Sequence, residues 1–291
     1  MFDYKLEYKK YIEQFDKQLD KAFSSLSAIP EILLEAMKYA IYDGGKRVRP
    51  VLCFATAEML GLKCDDVKEF AVAIEMIHSY SLVHDDLPAM DNDDYRRGKL
   101  STHKKFGEAN GILTGDALLN YAFEHCLSRS NFTQNYVDAL KILSEYAGAS
   151  GMIAGQTLDL LNEKNPTANE KILYSIYHNK TAKLLTAPLL IASCIAGGKH
   201  YDQLKEFGYN LGVMFQITDD VMDVEGSVES IGKTPNKDAI LDKLTAIKVF
   251  GIDGAKQKID YHYQKCMNIL SEIPNSEFLQ GLTNQMHVRK N

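Results

Sequence analysis

Apolar residues recur every three or four positions along most of the chain, as one face of a helix requires. The clearest stripe runs through 67–81, where Phe70, Ala71, Ile74 and Ile77 share a face. Comparable stripes run through 31–43, 108–128, 136–162, 169–197, 201–224, 239–250 and 254–272. Alternating patterns typical of strands are nearly absent from the sequence. The pattern predicts an all-α protein.

Two segments have an alternative to a helix in the core of the protein. Residues 47–54 could pass for a strand, but Pro50 suits the first turn of a helix, and 51–60 contains good helix formers. The uncharged run 184–198 is shorter than the roughly 20 residues of a membrane span, and it contains Pro188. We therefore expect two helices, the second of them buried in the core.

Short Gly, Pro and Asn punctuation joins the stripes, as at 44–45 and 197–198. No long linker, low-complexity tract or fixed-period repeat divides the sequence. We therefore expect 1–291 to form one domain, a bundle of about ten helices. The first residues mix charged and apolar side chains without the continuous apolar stretch of a secretory signal, so we do not expect export.

Composition narrows the functional classes. The 291 residues are 45% hydrophobic, enough for a large core, and 33 Lys+Arg against 39 Asp+Glu give a net charge of -6, which disfavours bulk nucleic-acid binding. The five cysteines are far apart and lack C-x-x-C spacing, so neither a disulfide framework nor a zinc site is indicated. A reducing, cytoplasmic location fits this pattern.

The first acidic cluster, residues 84–94, contains five aspartates within ten residues at the end of an apolar helical run. Clustered carboxylates repel one another, and a hard divalent cation such as Mg²⁺, which prefers oxygen ligands, relieves that repulsion. A solvated acidic loop is the alternative. The cluster is a candidate metal site.

The second acidic cluster, residues 216–223, interrupts another apolar helix. Asp219 and Asp223 stand four residues apart and share a helical face, as do Gln216 and Asp220. An acidic turn at a helix end would also explain the cluster. Two such clusters in an all-helical chain nevertheless suggest facing metal sites across a cavity in the bundle.

Basic residues near these acids form a third feature. They occur in 44–50, in Arg96-Arg97-Gly98, at Lys180 and at Lys233 and Lys237. Arg holds phosphate with a planar fork and Lys acts as a point charge, although each cation alone could be an ordinary surface residue. The spacing of a Walker loop is missing, so ATP is not the expected ligand.

These motifs give the chain a resemblance to a known family. The segment Gly44-Gly45-Lys46-Arg47-x-Arg49-Pro50, the six-residue step from Asp85 to Asp91, Arg96-Arg97-Gly98 and Asp219-Asp220-x-x-Asp223 follow in the order typical of the family. The sequence resembles, over essentially its whole length, the trans-prenyl diphosphate synthases, and among them the bacterial farnesyl diphosphate synthases. The resemblance implies an isoprenoid synthase fold, in which helices surround a deep central cavity with the acidic motifs at its mouth.

The resemblance also implies an activity. It is the Mg²⁺-dependent, head-to-tail condensation of isopentenyl diphosphate with dimethylallyl or geranyl diphosphate, which gives farnesyl diphosphate and releases diphosphate. Three Mg²⁺ ions are expected with substrate bound, and Mn²⁺ is expected to substitute. The implied partners are isoprenoid diphosphates and a second copy of the chain in a homodimer, without nucleic acid or stable membrane association.

Residue roles follow from the same resemblance. The metal ligands would be Asp85, Asp91, Asp219 and Asp223. The catalytic group would be Asp85, Asp86, Asp91, Asp219, Asp220 and Lys180. The allylic substrate would be held by Arg96, Lys180, Thr181, Gln216 and Lys233. Isopentenyl diphosphate would be held by Lys46, Arg49, His78 and Arg97. Spacing independently puts His78 on nearly the same helical face as Asp85, seven residues later, although a buried structural histidine is the alternative.

Product length is expected to depend on the depth of the cavity. Tyr80 precedes Asp85 by five residues, roughly 7.5 Å along a helix axis, so its ring would form a floor. The pair Tyr80-Ser81 resembles that of short-chain enzymes. We therefore expect a fifteen-carbon product, with twenty carbons as the main rival and an ordinary core aromatic as the alternative role of Tyr80.

The sequence departs from the family at 242–246, where Asp-Lys-Leu-Thr-Ala replaces the usual Gly-Lys before a Thr-Tyr pair. Because Asp242 brings negative charge beside Lys243, we leave Lys243 out of the predicted site. Four rival functions remain: a geranylgeranyl diphosphate synthase, a class I terpene cyclase, a metal phosphohydrolase and a non-catalytic subunit. A second acidic motif argues against a cyclase, and intact aspartates argue against lost activity.

Overall fold

The described chain is built almost entirely from helices. The computed structural model describes residues 2–42, 44–163, 165, 167, 169–225 and 243–288. Its α-helices are α1 (Tyr4–Ser24), α2 (Glu31–Tyr42), α3 (Val48–Met59), α4 (Lys68–Asp85), α5 (Thr102–Phe106), α6 (Glu108–Leu127), α7 (Gln134–Ala147), α8 (Met152–Leu161), α9 (Glu170–Ile176), α10 (Lys183–Ile195), α11 (Tyr201–Glu225), α12 (Ala246–Ser271) and α13 (Glu277–His287). The predicted all-α class is confirmed.

The remaining regular elements are short. A 3₁₀ turn spans Cys64–Asp66, and a π-helical turn, Tyr177–Ala182, joins α9 directly to α10. Strands β1 (Tyr95–Arg96) and β2 (Lys99–Leu100) form an antiparallel hairpin. Its two loop residues, Arg97 and Gly98, both have positive φ, 78° and 80°, as the tightest hairpin turns require.

The predicted helices are mostly present, with shifted boundaries. The segment 48–54 is helical within α3, with Arg47 just before the helix at φ 49°, and α10 is the expected core helix of the uncharged run. The single stripe predicted at 136–162 is divided into α7 and α8. The stripe predicted at 239–250 lies partly outside the described residues, and α12 contains a non-helical glycine, Gly251, with φ 67°.

One hydrophobic core extends from Tyr11 in α1 to Met286 in α13. Helix α10 is buried at every position from Leu184 to Ser193, and most of α4 is buried as well. A helix that is buried on nearly all sides belongs in the centre of a bundle, so these two helices form the middle of the fold. None of the described helices combines the length and apolar character needed to cross a bilayer.

The π-helical turn lies between two closely packed glycines. A Cβ on Gly155 of α8 would lie 2.0 Å from the backbone nitrogen of Lys180, and a Cβ on Gly212 of α11 would lie 2.3 Å from the Cα of Ala182. Only glycine permits these backbones to approach so closely. Helices α8 and α11 therefore determine the position of the turn that carries Lys180 and Thr181.

Candidate active site

A cavity of about 740 Å³ opens among α3, α4, α6, α8, α11 and the π-helical turn. Most of the predicted functional residues line it. They are Arg49, His78, Tyr80, Ser81, Asp85, Asp91, Arg96, Lys180, Thr181, Gln216, Asp219, Asp220 and Asp223. Residues Lys46, Asp86 and Arg97 do not line this cavity, and Lys233 lies outside the described residues. The two acidic clusters therefore meet at one cavity.

In the first acidic cluster, the chain folds back after α4 so that Asp85 and Asp91 come together. The Asp91 amide donates to the Asp85 carbonyl at 2.9 Å, and both residues line the cavity. Burial raises the pKa of the Asp85 carboxyl above its ordinary value; Lys180 lowers it, and Asp91 raises it again. Two neighbouring acids at one cavity favour a cation between them.

Asp86 has a different environment from its neighbour Asp85. It is 2% exposed and accepts hydrogen bonds from Nε of Arg96 at 3.0 and 3.1 Å, with a further contact to the same guanidinium. Arg96 also lies 3.6 Å from Asp93 and lines the cavity. Asp86 therefore holds a cavity-lining cation, and strand β1 supplies the backbone that places it.

Hydrogen bonds connect the second acidic cluster to the π-helical turn and to the start of α12. Thr181 Oγ1 donates to Gln216 Oε1 at 2.7 Å, and Gln216 Nε2 donates to Asp220 Oδ1 at 3.1 Å. The other Asp220 oxygen accepts from the Ala246 amide at 2.7 Å and from the Tyr177 hydroxyl. This chain of hydrogen bonds runs from the π-helical turn through α11 to the start of α12.

A group of nitrogen donors forms the cationic wall of the cavity. Burial lowers the pKa of Arg49 to about 10, and its Nε is buried without a hydrogen-bond partner in the described structure. Burial, together with the nearby charge of Arg49, lowers the pKa of His78 well below its ordinary value, so its imidazole is neutral. A buried donor without an acceptor fits an anionic ligand.

Lys46 and Arg97 lie beside this wall rather than on the cavity. Lys46 is exposed, and its carbonyl accepts from the Tyr8 hydroxyl. Arg97 donates from its guanidinium to the Gly44 carbonyl at 2.8 Å. Both are therefore attached to the loop that precedes α3.

Sequence reasoning missed two charged residues that the fold brings to the site. Asp159 Oδ2 accepts from Lys180 Nζ at 2.6 Å, and Lys243 Nζ lies 2.8 Å from Asp91 Oδ1 and 4.0 Å from Asp159 Oδ2. Burial alone would lower the pKa of Lys180, but Asp159 and Asp85 raise it. The available signal was an acid inside the apolar segment 152–161.

Excluding Lys243 because of its neighbour Asp242 was misleading. Lys243 lines the cavity, whereas Asp242 lies outside the described residues. A neighbour in sequence says little about which way a side chain points when the segment is not helical. The distance to Asp91 could be found only from the fold.

Tyr80 lines the apolar part of the cavity. Its side chain is 5% exposed, its hydroxyl has no hydrogen-bond partner among the described residues, and its ring meets His84 edge-on at 5.7 Å. Burial raises the pKa of Tyr80 to about 12, with a further contribution from Asp85. Apolar side chains complete the lining, namely Leu119, Met152, Leu184 and Phe215.

The donor set fits metal ions that are shared with a substrate. Within the described ranges, no three His, Cys, Asp or Glu side chains form a ready-made metal centre. The cavity instead offers carboxylates on two separate elements. Mg²⁺ is usually bound in this way, by one or two carboxylates together with water and substrate phosphates.

Comparisons with known proteins agree with this geometry. The polyprenyl synthetase family model matches residues 30–277. Farnesyl diphosphate synthase of Micrococcus luteus is 46% identical over 231 residues, 78% of this chain and 79% of the relative. That of Haemophilus influenzae is 41% identical over 282 residues, 95% of each. Geranylgeranyl pyrophosphate synthase of Capsicum annuum is 39% identical, over 88% of this chain and 70% of the relative.

A solved structure supports the same assignment. Geranyltransferase of Helicobacter pylori, complexed with magnesium and isoprenyl diphosphate, superposes with a TM-score of 0.83 at 32% identity, over 96% of this chain and 94% of that one. The family match, the close relatives and the cavity with two acidic clusters agree. The chain belongs to the polyprenyl synthetase family.

Proposed function

We propose that the chain is a short-chain prenyltransferase, a farnesyl diphosphate synthase. It condenses isopentenyl diphosphate with dimethylallyl or geranyl diphosphate and releases diphosphate. The observation that carries this proposal is a single cavity with two acidic clusters, a cationic wall and an apolar interior. The farnesyl diphosphate synthase relatives support the same activity.

Ionisation of the allylic substrate requires that negative charge on the leaving diphosphate be stabilised. The ammonium groups of Lys180 and Lys243 and the guanidinium of Arg96 line the cavity and are held in place by carboxylates. Preorganised cations in a site with little water stabilise developing charge without reorganising. Mg²⁺, held by Asp85, Asp91, Asp219 and Asp223, would supply further charge neutralisation of the diphosphate.

The second substrate needs a separate anion site. The Arg49 guanidinium, whose Nε is buried, and the neutral imidazole of His78 supply donors at the cavity wall. We assign the isopentenyl diphosphate group to them. Roles for Lys46 and Arg97, which lie beside the wall, remain predictions.

The apolar interior protects the reactive allylic cation from water. Leu119, Leu184 and Phe215 line it and offer no hydrogen-bonding side chain that would retain water. Such exclusion prevents hydrolysis of a reactive intermediate. The isopentenyl double bond is then the nucleophile available to the cation, and the departed diphosphate is the base for the final proton.

Several finer expectations also remain predictions. They are three metal ions, Mn²⁺ as a substitute for Mg²⁺, a homodimer, a single domain over 1–291 and a cytoplasmic location. The catalytic roles of Asp86 and Asp220 also remain predictions; their hydrogen bonds with Arg96 and with the Ala246 amide support a role in holding neighbouring groups.

The first experiment is to incubate the protein with Mg²⁺, isopentenyl diphosphate and dimethylallyl diphosphate, and to separate the dephosphorylated products by carbon number. We expect a fifteen-carbon alcohol. A twenty-carbon product would keep the mechanism but contradict the role of Tyr80 and favour the geranylgeranyl alternative. Absence of elongation in folded protein would contradict the proposal.

Product length offers a sharper test. Tyr80→Ala should lengthen the product, because it removes the ring from the cavity lining. Tyr80→Phe is the matched control and should leave product length unchanged, because the lost hydroxyl has no hydrogen-bond partner in the described structure. An unaltered distribution in Tyr80→Ala would place the floor elsewhere.

A further inference from the structure

A buried hydrogen-bond junction connects three elements at the wall of the cavity, which its Asp220 lines. The Ala246 amide donates to the Tyr177 hydroxyl and to Asp220 Oδ2, at 2.7 Å in each case. The Tyr177 hydroxyl in turn donates to the same Asp220 oxygen. Tyr177 and Asp220 are each 3% exposed and Ala246 is fully buried, so water does not compete for these bonds.

The junction stabilises the N-terminus of α12. The first amides of a helix have no partner within the helix, and negative charge there is favourable. Thr245 Oγ1 accepts from the Lys248 amide at 3.3 Å, and Asp220 satisfies the Ala246 amide. A carboxylate of α11 thus completes the first turn of α12.

The position of this first turn determines the position of Lys243. Lys243 precedes Ala246 by three residues, is 9% exposed and extends its ammonium to within 2.8 Å of Asp91 Oδ1. With so short a connection, a displaced Ala246 would displace the Lys243 backbone with it. The position of the Lys243 ammonium therefore depends on the junction.

Tyr177 also belongs to the turn that carries the other cavity lysine. Lys180 lies three residues after Tyr177 in the π-helical turn, and its ammonium shares Asp159 with Lys243, at 2.6 and 4.0 Å. Two ammonium groups held on either side of one carboxylate suit a ligand with two phosphoryl groups. Tyr177 can set their separation because it contacts the segment of one lysine and belongs to that of the other.

We propose that Tyr177, acting through Asp220 and the Ala246 amide, is a positioning residue that holds the Lys243 ammonium in register with Lys180 for binding diphosphate. The proposal rests on the proposed function for the identity of the ligand. Its contacts do not depend on turnover, so it can be tested by binding alone.

The test is calorimetric titration of the full chain with inorganic diphosphate in the presence of Mg²⁺. Tyr177→Phe removes only the hydroxyl, and we expect diphosphate to bind roughly tenfold more weakly, about 1.4 kcal/mol. Tyr174→Phe is the matched control. Tyr174 lies in α9, three residues before Tyr177, and its hydroxyl lies 3.3 Å from Nε2 of His262 rather than at the junction. It should change the affinity less than about twofold.

A double-mutant cycle separates positioning from general loosening of the fold. If Tyr177 acts through Lys243, Tyr177→Phe should cause no further loss of affinity in a Lys243→Ala background. An equal loss in both backgrounds, or no loss in either, would overturn the proposal. Asp220→Asn provides a second variant, which should show the same dependence on Lys243.

The outcome can be distinguished from failure of the proposed function. A protein that does not elongate isoprenoid diphosphates but shows the Lys243-dependent loss supports the positioning role and contradicts the condensation. A protein that elongates normally but lacks the coupling contradicts the positioning role alone.

Discussion

The two acidic clusters share a pair of adjacent aspartates but use the second member differently. In the first cluster, Asp86 binds the charged guanidinium of Arg96. In the second, Asp220 binds neutral donors, namely a tyrosine hydroxyl, a backbone amide and a side-chain amide. Asp86 therefore holds the charge of Arg96 at the cavity, whereas Asp220 holds the first residue of α12.

This difference shows that a repeated Asp-Asp pair does not imply repeated chemistry. In each pair, the first aspartate lines the cavity and the second connects its cluster to another element, although Asp220, unlike Asp86, also lines the cavity. The connection from Asp86, at the end of α4, to Arg96 of β1 spans ten residues, while the connection to Tyr177 spans 43 residues. Variants of the four acids should therefore divide into distinct classes.

The largest effect is expected at the cavity-lining acids. Asp85→Ala should lower turnover by at least about 10²-fold, because it removes a carboxylate that would hold a metal ion beside the leaving charge. The fold should lose little stability, since one of two repelling acids is removed. Initial rates and a thermal melt measure both effects. Turnover within tenfold of the parent would remove Asp85 from the metal site.

The next effect is expected on stability at Asp86. Asp86→Ala leaves the mostly buried Arg96 guanidinium without its main partner and should lower the free energy of unfolding by about 3 kcal/mol. Denaturant titration measures the change. Asp86→Ala combined with Arg96→Met should recover part of the loss, because no unpaired charge remains. Equal losses in the single and double variants would contradict the charge argument.

A smaller loss is expected at Asp220, because its partners are neutral. Asp220→Ala should lower the free energy of unfolding by about 1–3 kcal/mol, because the Tyr177 hydroxyl and Gln216 Nε2 lose their acceptor and the Ala246 amide keeps only the Tyr177 hydroxyl. Added salt should change this loss less than it changes the loss in Asp86→Ala. A loss larger than that of Asp86→Ala would reverse the comparison.

The smallest effect is expected in the pH dependence of stability, through a contact of α12 that does not involve Lys243. His262 joins α12 to α11 through Asn210 at 2.8 Å, and burial lowers the pKa of His262 to about 4. The unfolded chain, with an ordinary histidine pKa, binds the proton first as pH falls, so stability is full above pH 6.5 and declines below it. We expect a loss of about 1–2 kcal/mol between pH 7 and pH 5.

The control for this pH effect is His262→Gln, which cannot titrate. Its stability should lack the histidine contribution to the pH slope, while diphosphate affinity at neutral pH stays unchanged. Denaturant titrations at several pH values provide the measurement. An unchanged slope would show that another group causes the acid sensitivity.

Much of the fold and the site could be predicted from local patterns. Helical periodicity identified the main helices. Spacing predicted that His78 and Asp85 share nearly the same face of α4, and both line the cavity, as does Tyr80. The division of 136–162 into α7 and α8 was missed, because both helices continue the same apolar stripe. Periodicity reports which face is apolar, and it is less informative about where a helix ends.

The partners of the second aspartates could not be predicted. Nothing in the spacing of 84–94 or 216–223 indicates that Asp86 meets Arg96 or that Asp220 meets Tyr177. Those contacts depend on how separate elements pack. For the same reason Asp159 was absent from the predicted site. Lys243 was left out because of its neighbour Asp242, although both residues lie within 4.0 Å of a charged partner there.

The π-helical turn makes the length of its segment critical. A π turn contains one residue more than the α-helical path it replaces, so α9 and α10 follow different rotational phases on either side of it. Each residue of an α-helix advances the chain by about 100°. Deleting a single residue between Ile176 and Lys183 would therefore bring both helices into one phase and rotate the intervening side chains away from the cavity. We expect this segment to tolerate substitutions better than any change in residue number.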